Sequence, residues 1–250
     1  MKPYLSLVIP AYNEEKRLSK TLDVIREFFS AKGYSYEVLI VNDGSRDGTE
    51  DAVRKRQKTW PELKLLSERV NHGKGYSVKK GMLSASGQYV IFSDADISTP
   101  LTELDALLSK LIEGQDMVVG SRYIRMKGGA QGRVTQTALR HFAGKLFSFI
   151  VRVLVSSSVL DTQCGFKGFT GKSARSLFSR QKLNGFAFDV EILYLAAKLG
   201  LKVLEVPVEW REDPDSKISL WKDSFQMLYD VLKIRALHFR EDYSTDSVTE

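Results

Sequence analysis

Short apolar runs alternate with amphipathic stretches along the first half of the chain. Residues 5–9 (Leu-Ser-Leu-Val-Ile) read as a buried strand ended by Pro10, whose missing N–H does not suit a sheet centre. Residues 14–29 place Leu18, Leu22, Ile25 and Phe29 at helical spacing. The same alternation continues with strands at 36–41, 63–67, 89–92 and 117–120 and helices at 47–59, 75–86 and 101–113. A βαβαβαβαβ rhythm predicts an α/β fold in which a mostly parallel central sheet carries helices on both faces.

After Gly120 the rhythm breaks. Residues 133–160 read as one long helix or two in series. Their polar arc holds Arg133, Thr137, Arg140, His141, Lys145 and Arg152, and the rest of the circumference is apolar. That is wider than the stripe of a little over ~100° that a core-facing helix needs. Residues 201–208 predict a late strand. Residues 220–239 predict a final helix with Trp221, Phe225, Leu228, Leu232 and Phe239 on one face. The polar stretch 241–250 is expected to fray and be disordered. No repeat, linker or low-complexity tract interrupts the chain, so residues 1–240 are expected to form a single domain.

Charge adds a second layer. The net charge is +6, but residues 121–182 hold twelve Lys and Arg against one acid, Asp161. One segment therefore carries the positive field, as an anionic partner would require. The single cysteine, Cys164, excludes an intrachain disulfide and a Cys-based zinc site. A reducing, cytoplasmic setting follows from that usage. The longest stretch free of Asp, Glu, Lys and Arg is 13 residues, 81–93. A membrane span needs about 20 apolar residues. The opening Met-Lys-Pro-Tyr runs straight into a strand pattern, so no signal peptide or N-terminal span is expected.

Three strands end in polar turns: Pro10-Ala-Tyr-Asn-Glu, Asn42-Asp-Gly-Ser and Asp94-Ala-Asp96. In open α/β sheets, ligands bind beyond the carboxyl ends of the strands, so these distant tips should meet at one rim. Asp94 and Asp96 are hard oxygen ligands at a strand tip, suited to Mg²⁺ or Mn²⁺ shared with a substrate phosphate. Asn71-His-Gly-Lys-Gly75 opens a helix, where glycines admit close approach and Lys74 adds a point charge. Asp43 can accept from a base N–H, whereas Asp47 or Ser45 could simply cap the following helix. Arg122, Arg133 and Arg140 are candidate phosphate binders. Cys164 reads as a small buried residue rather than a nucleophile.

The set Pro10-Ala-Tyr-Asn-Glu-Glu15, Val41-Asn-Asp-Gly-Ser45, Asp47-Gly-Thr49, Asn71-x-Gly-Lys-Gly75, Asp94-Ala-Asp96 and Gly120-Ser-Arg122 resembles the GT-A glycosyltransferases of family 2, a Rossmann-like fold. A later set is similar to the dolichyl-phosphate β-glucosyltransferases, with dolichyl-phosphate mannose synthases as near relatives. It comprises Asp161-Thr-Gln-Cys-Gly-Phe-Lys167, Phe188-Asp-Val-Glu191, Val206-Pro-Val-Glu-Trp210 and Ser216-Lys217. The resemblance implies a nucleotide-diphospho-sugar donor held by Pro10, Tyr12, Glu14, Asp43, Lys74 and Asp94. It implies a divalent metal on Asp94 and Asp96, acceptor phosphate on Arg122, Arg133 and Arg140, and Lys217 closing on the diphosphate. Asp96, Arg122, Arg140 and Lys217 would then carry catalysis. Where mannose synthases place a metal-binding Gln two residues past the Asp-x-Asp motif, this chain has Ser98.

The implied reaction is inverting hexose transfer, from UDP-glucose, to a polyprenyl phosphate at the cytoplasmic face of a membrane. The enzyme would be held there peripherally by helices 133–160 and 220–239. The alternatives are transfer from GDP-mannose, or a hydroxyl acceptor activated by Asp189 or Glu191 as base. No nucleic-acid partner is expected, because an acidic rim repels phosphate unless a metal intervenes.

Overall fold

A computed structural model of the protein describes residues 2–124, 159–211, 220–239 and 243. The predicted alternation is present. Strands β1 (Leu5–Ala11), β2 (Tyr36–Asp43), β3 (Leu63–Glu68), β4 (Tyr89–Ser93) and β5 (Met117–Ser121) are separated by helices α1 (Glu15–Ser30), α2 (Thr49–Gln57), α3 (Lys74–Ser84) and α4 (Leu104–Ile112). Beyond the undescribed residues come β6 (Phe166–Thr170), α5 (Gly171–Arg180), α6 (Phe188–Lys198), β7 (Val203–Pro207) and α7 (Leu220–Leu237).

The seven strands form one sheet in the order β3-β2-β1-β4-β6-β5-β7. All neighbours are parallel except β6, which runs antiparallel to both β4 and β5. Central strands covered on both faces need apolar residues on both. Accordingly Leu5, Leu7 and Ile9 of β1 join α1 and α4 in one core, and Val8 joins α3, α5 and α6 in the other. In α1 the buried side chains include Leu18, Leu22, Ile25 and Phe29, the stripe the spacing predicts.

Three departures from the sequence reading have physical causes. Pro10 lies inside β1 rather than ending it. β1 pairs with β2 through Ala11 but with β4 only through Val8, so Pro10 sits where one flank has already opened. β6 escaped the pattern because Lys167 and Gly168 interrupt its apolar run, and Lys167 is nonetheless 1 % exposed. α6 is buried on nearly every face, including Asp189 and Glu191, so no amphipathic stripe marks it. The predicted helix 133–160 falls almost wholly outside the described residues. Of the stretch 241–250, Tyr243 is described, and its ring stacks near the Arg180 and Lys198 cations.

Candidate active site

The tips of β1 and β2 are tied together by their own side chains. The Ser45 hydroxyl accepts from Asn13 N at 2.9 Å, Asn13 Oδ1 accepts from Arg46 N at 2.8 Å, and Thr49 Oγ1 accepts from Glu14 N at 2.8 Å. Asn13 holds a positive φ of 55°, the left-handed turn that Asn tolerates best after Gly. Tyr12 stands 40 % exposed at this edge, and Glu14 lies 3.6 Å from Arg17. Pro10, Tyr12 and Glu14 thus line one rim.

Asp43, at the end of β2, is 3 % exposed. Its carboxylate accepts from His72 N at 2.9 Å, Gly73 N at 2.8 Å and Asn71 Nδ2 at 2.9 Å. Asp43 therefore shapes the Asn71–Gly75 turn. Gly73 has φ 105°, and a Cβ there would meet Asn184 O at 2.6 Å, so the turn also abuts the segment before α6.

That turn delivers Lys74 to the tip of β4. Lys74 Nζ lies 2.6 Å from Asp94 Oδ1, with the two side chains 24 % and 34 % exposed. Burial works against the Lys74 ammonium, but Asp94, then Asp189 and Asp96, outweigh it and hold its pKa above the ordinary lysine range. Asp94 is pressed from the other side by Gly165, where a Cβ would sit 2.0 Å from Asp94 Oδ2. Asp96 Oδ1 accepts from Ser98 N at 3.0 Å, and Ile97 between them takes φ 47°. Arg211 N donates to Ser98 O at 2.8 Å, drawing the chain after β7 across this tip.

Sequence reasoning missed Lys167 as a site residue. It reaches from β6 to Asp189 on α6, and its Nζ also donates to Cys164 O at 2.7 Å. Burial pushes the Asp189 carboxyl above its ordinary pKa, with Lys167 and then Lys74 pulling back. Asp94, Lys74, Asp189 and Lys167 thus form an array of alternating charge. Glu191, two residues on and so about 200° round the helix, is 0 % exposed. It accepts from Lys182 N and Leu183 N, both at 2.8 Å, and lies 2.7 Å from His238 Nε2.

Arg122 opens the basic segment as expected, but its fork is already engaged. Nε and Nη2 reach Asp161 Oδ2 and Oδ1 at 2.7 and 2.8 Å, and Asp161 Oδ2 also accepts from Arg122 N at 3.0 Å. The guanidinium carbon lies 5.5 Å from the Trp210 ring and 5.9 Å from Tyr123. Asp161 is in turn set by Glu205, which accepts from the backbone N–H groups of Leu160 and Asp161. The signal for this was present: Asp161 is the one acid among twelve cations. Cys164, 1 % exposed, has its thiol pushed up to about 11 by burial, which leaves it unreactive at neutral pH. Arg133, Arg140 and Lys217 lie outside the described residues.

The two tip carboxylates fit a divalent ion. Among the described residues no three His, Cys, Asp or Glu side chains gather as a metal cluster. Mg²⁺ or Mn²⁺ needs only one or two carboxylates, with water and substrate phosphates completing the shell. Asp94 and Asp96 offer such oxygens on one tip, and Lys74 offsets their charge.

Acids gathered at the strand tips of a mixed α/β sheet mark a ligand site beyond the strand ends, and comparison places the chain. The sequence profile of glycosyl transferase family 2 matches residues 6–178, and the protein belongs to that family: it is a glycosyltransferase of GT-A fold. Within it, the chain is 36 % identical over 245 residues to a dolichyl-phosphate beta-glucosyltransferase of Trichomonas vaginalis, covering 94 % of this chain and 74 % of that protein. It is 37 % identical over 243 residues to the dolichyl-phosphate beta-glucosyltransferase of Dictyostelium discoideum, covering 93 % and 74 %. Glucosyl-3-phosphoglycerate synthase of Mycobacterium tuberculosis, crystallised with UDP, shares the fold with a TM-score of 0.67 at 20 % identity, over 94 % of this chain and 80 % of that one. A further crystal structure of that synthase, with Mn²⁺, UDP-glucose and phosphoglyceric acid, gives a TM-score of 0.62 at 21 % identity, over 94 % and 80 %.

Proposed function

We propose that this glycosyltransferase moves glucose from UDP-glucose to a polyprenyl phosphate, with inversion at the anomeric carbon, at the cytoplasmic face of a membrane. The observation that carries the reading is the state of the two acids available as a base. Asp189 is 4 % exposed against Lys167, and Glu191 is 0 % exposed with three partners. Transfer to a hydroxyl requires a group to take its proton. A phosphate monoester does not, because its second pKa is about 6 and it is already an oxyanion at neutral pH.

The bonds balance without a proton. A phosphate oxygen of the acceptor forms the bond to the anomeric carbon as the bond from that carbon to the UDP oxygen breaks, and UDP carries away the electron pair. Pro10, Tyr12 and Glu14 hold the nucleotide, and Asp43 meets the base or fixes the turn beside it. Lys74 and Asp94 border the ribose and diphosphate. Asp94 and Asp96 would hold Mg²⁺ or Mn²⁺, which when bound supplies charge neutralisation at the diphosphate. Two anions must approach in a partly dry cleft, where charges act strongly. Arg122, Arg133, Arg140 and Lys217 would meet that demand, making catalysis a matter of positioning and electrostatic stabilisation. The names of the relatives support the glucose and lipid-phosphate parts of this reading. No helix among the described residues is long and apolar enough to cross a membrane.

The test is nucleotide release from UDP-glucose and GDP-mannose, each with and without a polyprenyl phosphate, before and after EDTA. Release from UDP-glucose that depends on the lipid phosphate and falls silent in EDTA is expected. Preference for GDP-mannose, or full activity in EDTA, contradicts it.

A further inference from the structure

From Tyr229 onward, the last helix packs with the side its sequence did not favour. Its strongest apolar spacing runs through Leu232 and Phe239, but Val231 and Ile234, each 1 % exposed, and His238, 0 % exposed, are what it buries. Tyr229 and Leu232 are each 55 % exposed and Phe239 is 81 % exposed. At about 100° per residue, Leu232, Ala236 and Tyr229 form one outward stripe of the helix, and Phe239 stands exposed in the turn just past its end. Lys233 and Arg235 lie roughly 80° to either side of it, and both are exposed. Lys233 Nζ stands 3.8 Å from the Tyr229 ring centroid. The one acid of residues 229–239, Asp230, is turned toward Gly185, with Oδ2 4.0 Å from where a Cβ would stand.

The helix cannot roll to hide this stripe without breaking buried contacts. His238 Nε2 lies 2.7 Å from Glu191 Oε1 and Nδ1 lies 2.5 Å from the Tyr243 hydroxyl. Lys182 Nζ donates to Leu237 O at 2.7 Å and Lys198 Nζ to His238 O at 2.9 Å. Two more cations thereby gather at the helix end.

We infer that the stripe Tyr229, Leu232 and Ala236, continued by Phe239, with Lys233 and Arg235 at its edges, is a docking surface for an anionic lipid bilayer. An apolar stripe bordered by cations on both sides complements acyl chains below and acidic headgroups beside them. A second copy fits worse, because two-fold pairing along the stripe would set Lys233 and Arg235 against their own equivalents. The inference deepens the lipid-phosphate reading, on which it rests for the presence of a bilayer. It also places the cleft. Glu191, which holds His238, also holds Lys182 and Leu183, and the carbonyls of Leu183, Asn184 and Gly185 wall the Gly73–Gly75 turn that carries Lys74.

The test uses the full chain and vesicles without any polyprenyl phosphate. One set is phosphatidylcholine alone, the other phosphatidylcholine with phosphatidylserine. The wild type should sediment with the anionic vesicles and be released by salt. Leu232→Glu/Phe239→Glu and Lys233→Glu/Arg235→Glu should each weaken binding roughly tenfold or more, with cooperative melting and the wild-type circular dichroism retained. Transfer to a short, water-soluble prenyl phosphate should stay near wild type in both variants. Wild type that ignores anionic vesicles at low salt, or variants that sediment like wild type, overturns the inference. So does a wild-type dimer in light scattering that Leu232→Glu/Phe239→Glu dissolves while vesicle binding is unaffected. Failure of soluble transfer in wild type with vesicle binding intact rejects the acceptor reading and leaves the surface standing.

Discussion

Replacing Asp189 by Asn separates a buried charge pair from a catalytic base. Asp189 and Lys167 are 4 % and 1 % exposed, and the amide keeps the shape but not the charge. It leaves an ammonium in the interior with Cys164 O as its remaining described acceptor besides the amide. Removing one partner of a buried pair costs about 3–5 kcal/mol. That is a large share of the roughly 5–15 kcal/mol by which a domain is stable. At about 2–4 °C per kcal/mol for a chain of this size, melting should fall by roughly 6–20 °C. The double variant Lys167→Met/Asp189→Leu removes both charges and should recover to within about 1 kcal/mol of the wild type. Calorimetry on the wild type, both single variants and the double variant gives the coupling directly. Below its melting point, Asp189→Asn should still transfer within about tenfold of the wild type, whereas loss of a general base costs about 10²–10⁴-fold. An Asp189→Asn protein that melts like the wild type but loses transfer by that factor would refute the argument.

Three further outcomes follow from the geometry. Gly165→Ala places a Cβ 2.0 Å from Asp94 Oδ2, so UDP binding with Mn²⁺ should weaken about tenfold or more by calorimetry; unchanged binding would show that Asp94 is not held in place for the donor. Asp161→Asn gives up a charge-assisted fork worth about 1.5–3 kcal/mol. It should raise the KM for prenyl phosphate about tenfold and leave the KM for UDP-glucose unchanged; equal changes in both would reject a role for Arg122 at the acceptor. Glu37 is 2 % exposed. Burial raises its pKa, but Lys64, Ser6 and Ser86 together hold it below the ordinary 4.5. The unfolded chain then binds a proton that the folded one refuses, so this stabilisation is complete above about pH 4.5 and is lost as pH falls through the folded pKa. Glu37→Gln should melt lower than the wild type at pH 7, with the gap closing in acid; a constant gap would show that Glu37 does not titrate differently on folding.

The rim was legible because each tip is a change of chemistry at a fixed place: Leu-Ile-Val41 before Asn42-Asp43, and Val-Ile-Phe92 before Asp94-Ala-Asp96. Chain pattern identifies where a buried strand stops. It does not show which partner takes a polar group there. Asp43 looked open to a ligand, yet its carboxylate holds three donors of the next turn. Arg122 looked like a free cation, yet Asp161, 39 residues on, occupies its fork. Lys167 was invisible as a site residue because a lysine in a short strand reads as an exposed edge, and its partner on α6 lies in a helix without a polar face. The stripe of α7 was legible as a stripe, but its direction is decided by His238 meeting Glu191, a contact across 47 residues.

The central claim is that the acceptor brings its own charge and needs no enzymic base. One pair of acceptors tests it most directly: a short prenyl phosphate and the corresponding prenol, each offered with UDP-glucose and Mn²⁺, with products weighed by mass spectrometry. The account predicts a hexose added to the phosphate and none to the alcohol. A glucosylated prenol formed as readily as the phosphate product would contradict it, since the hydroxyl proton would then have found a base that Asp189 and Glu191, as they are paired here, do not provide.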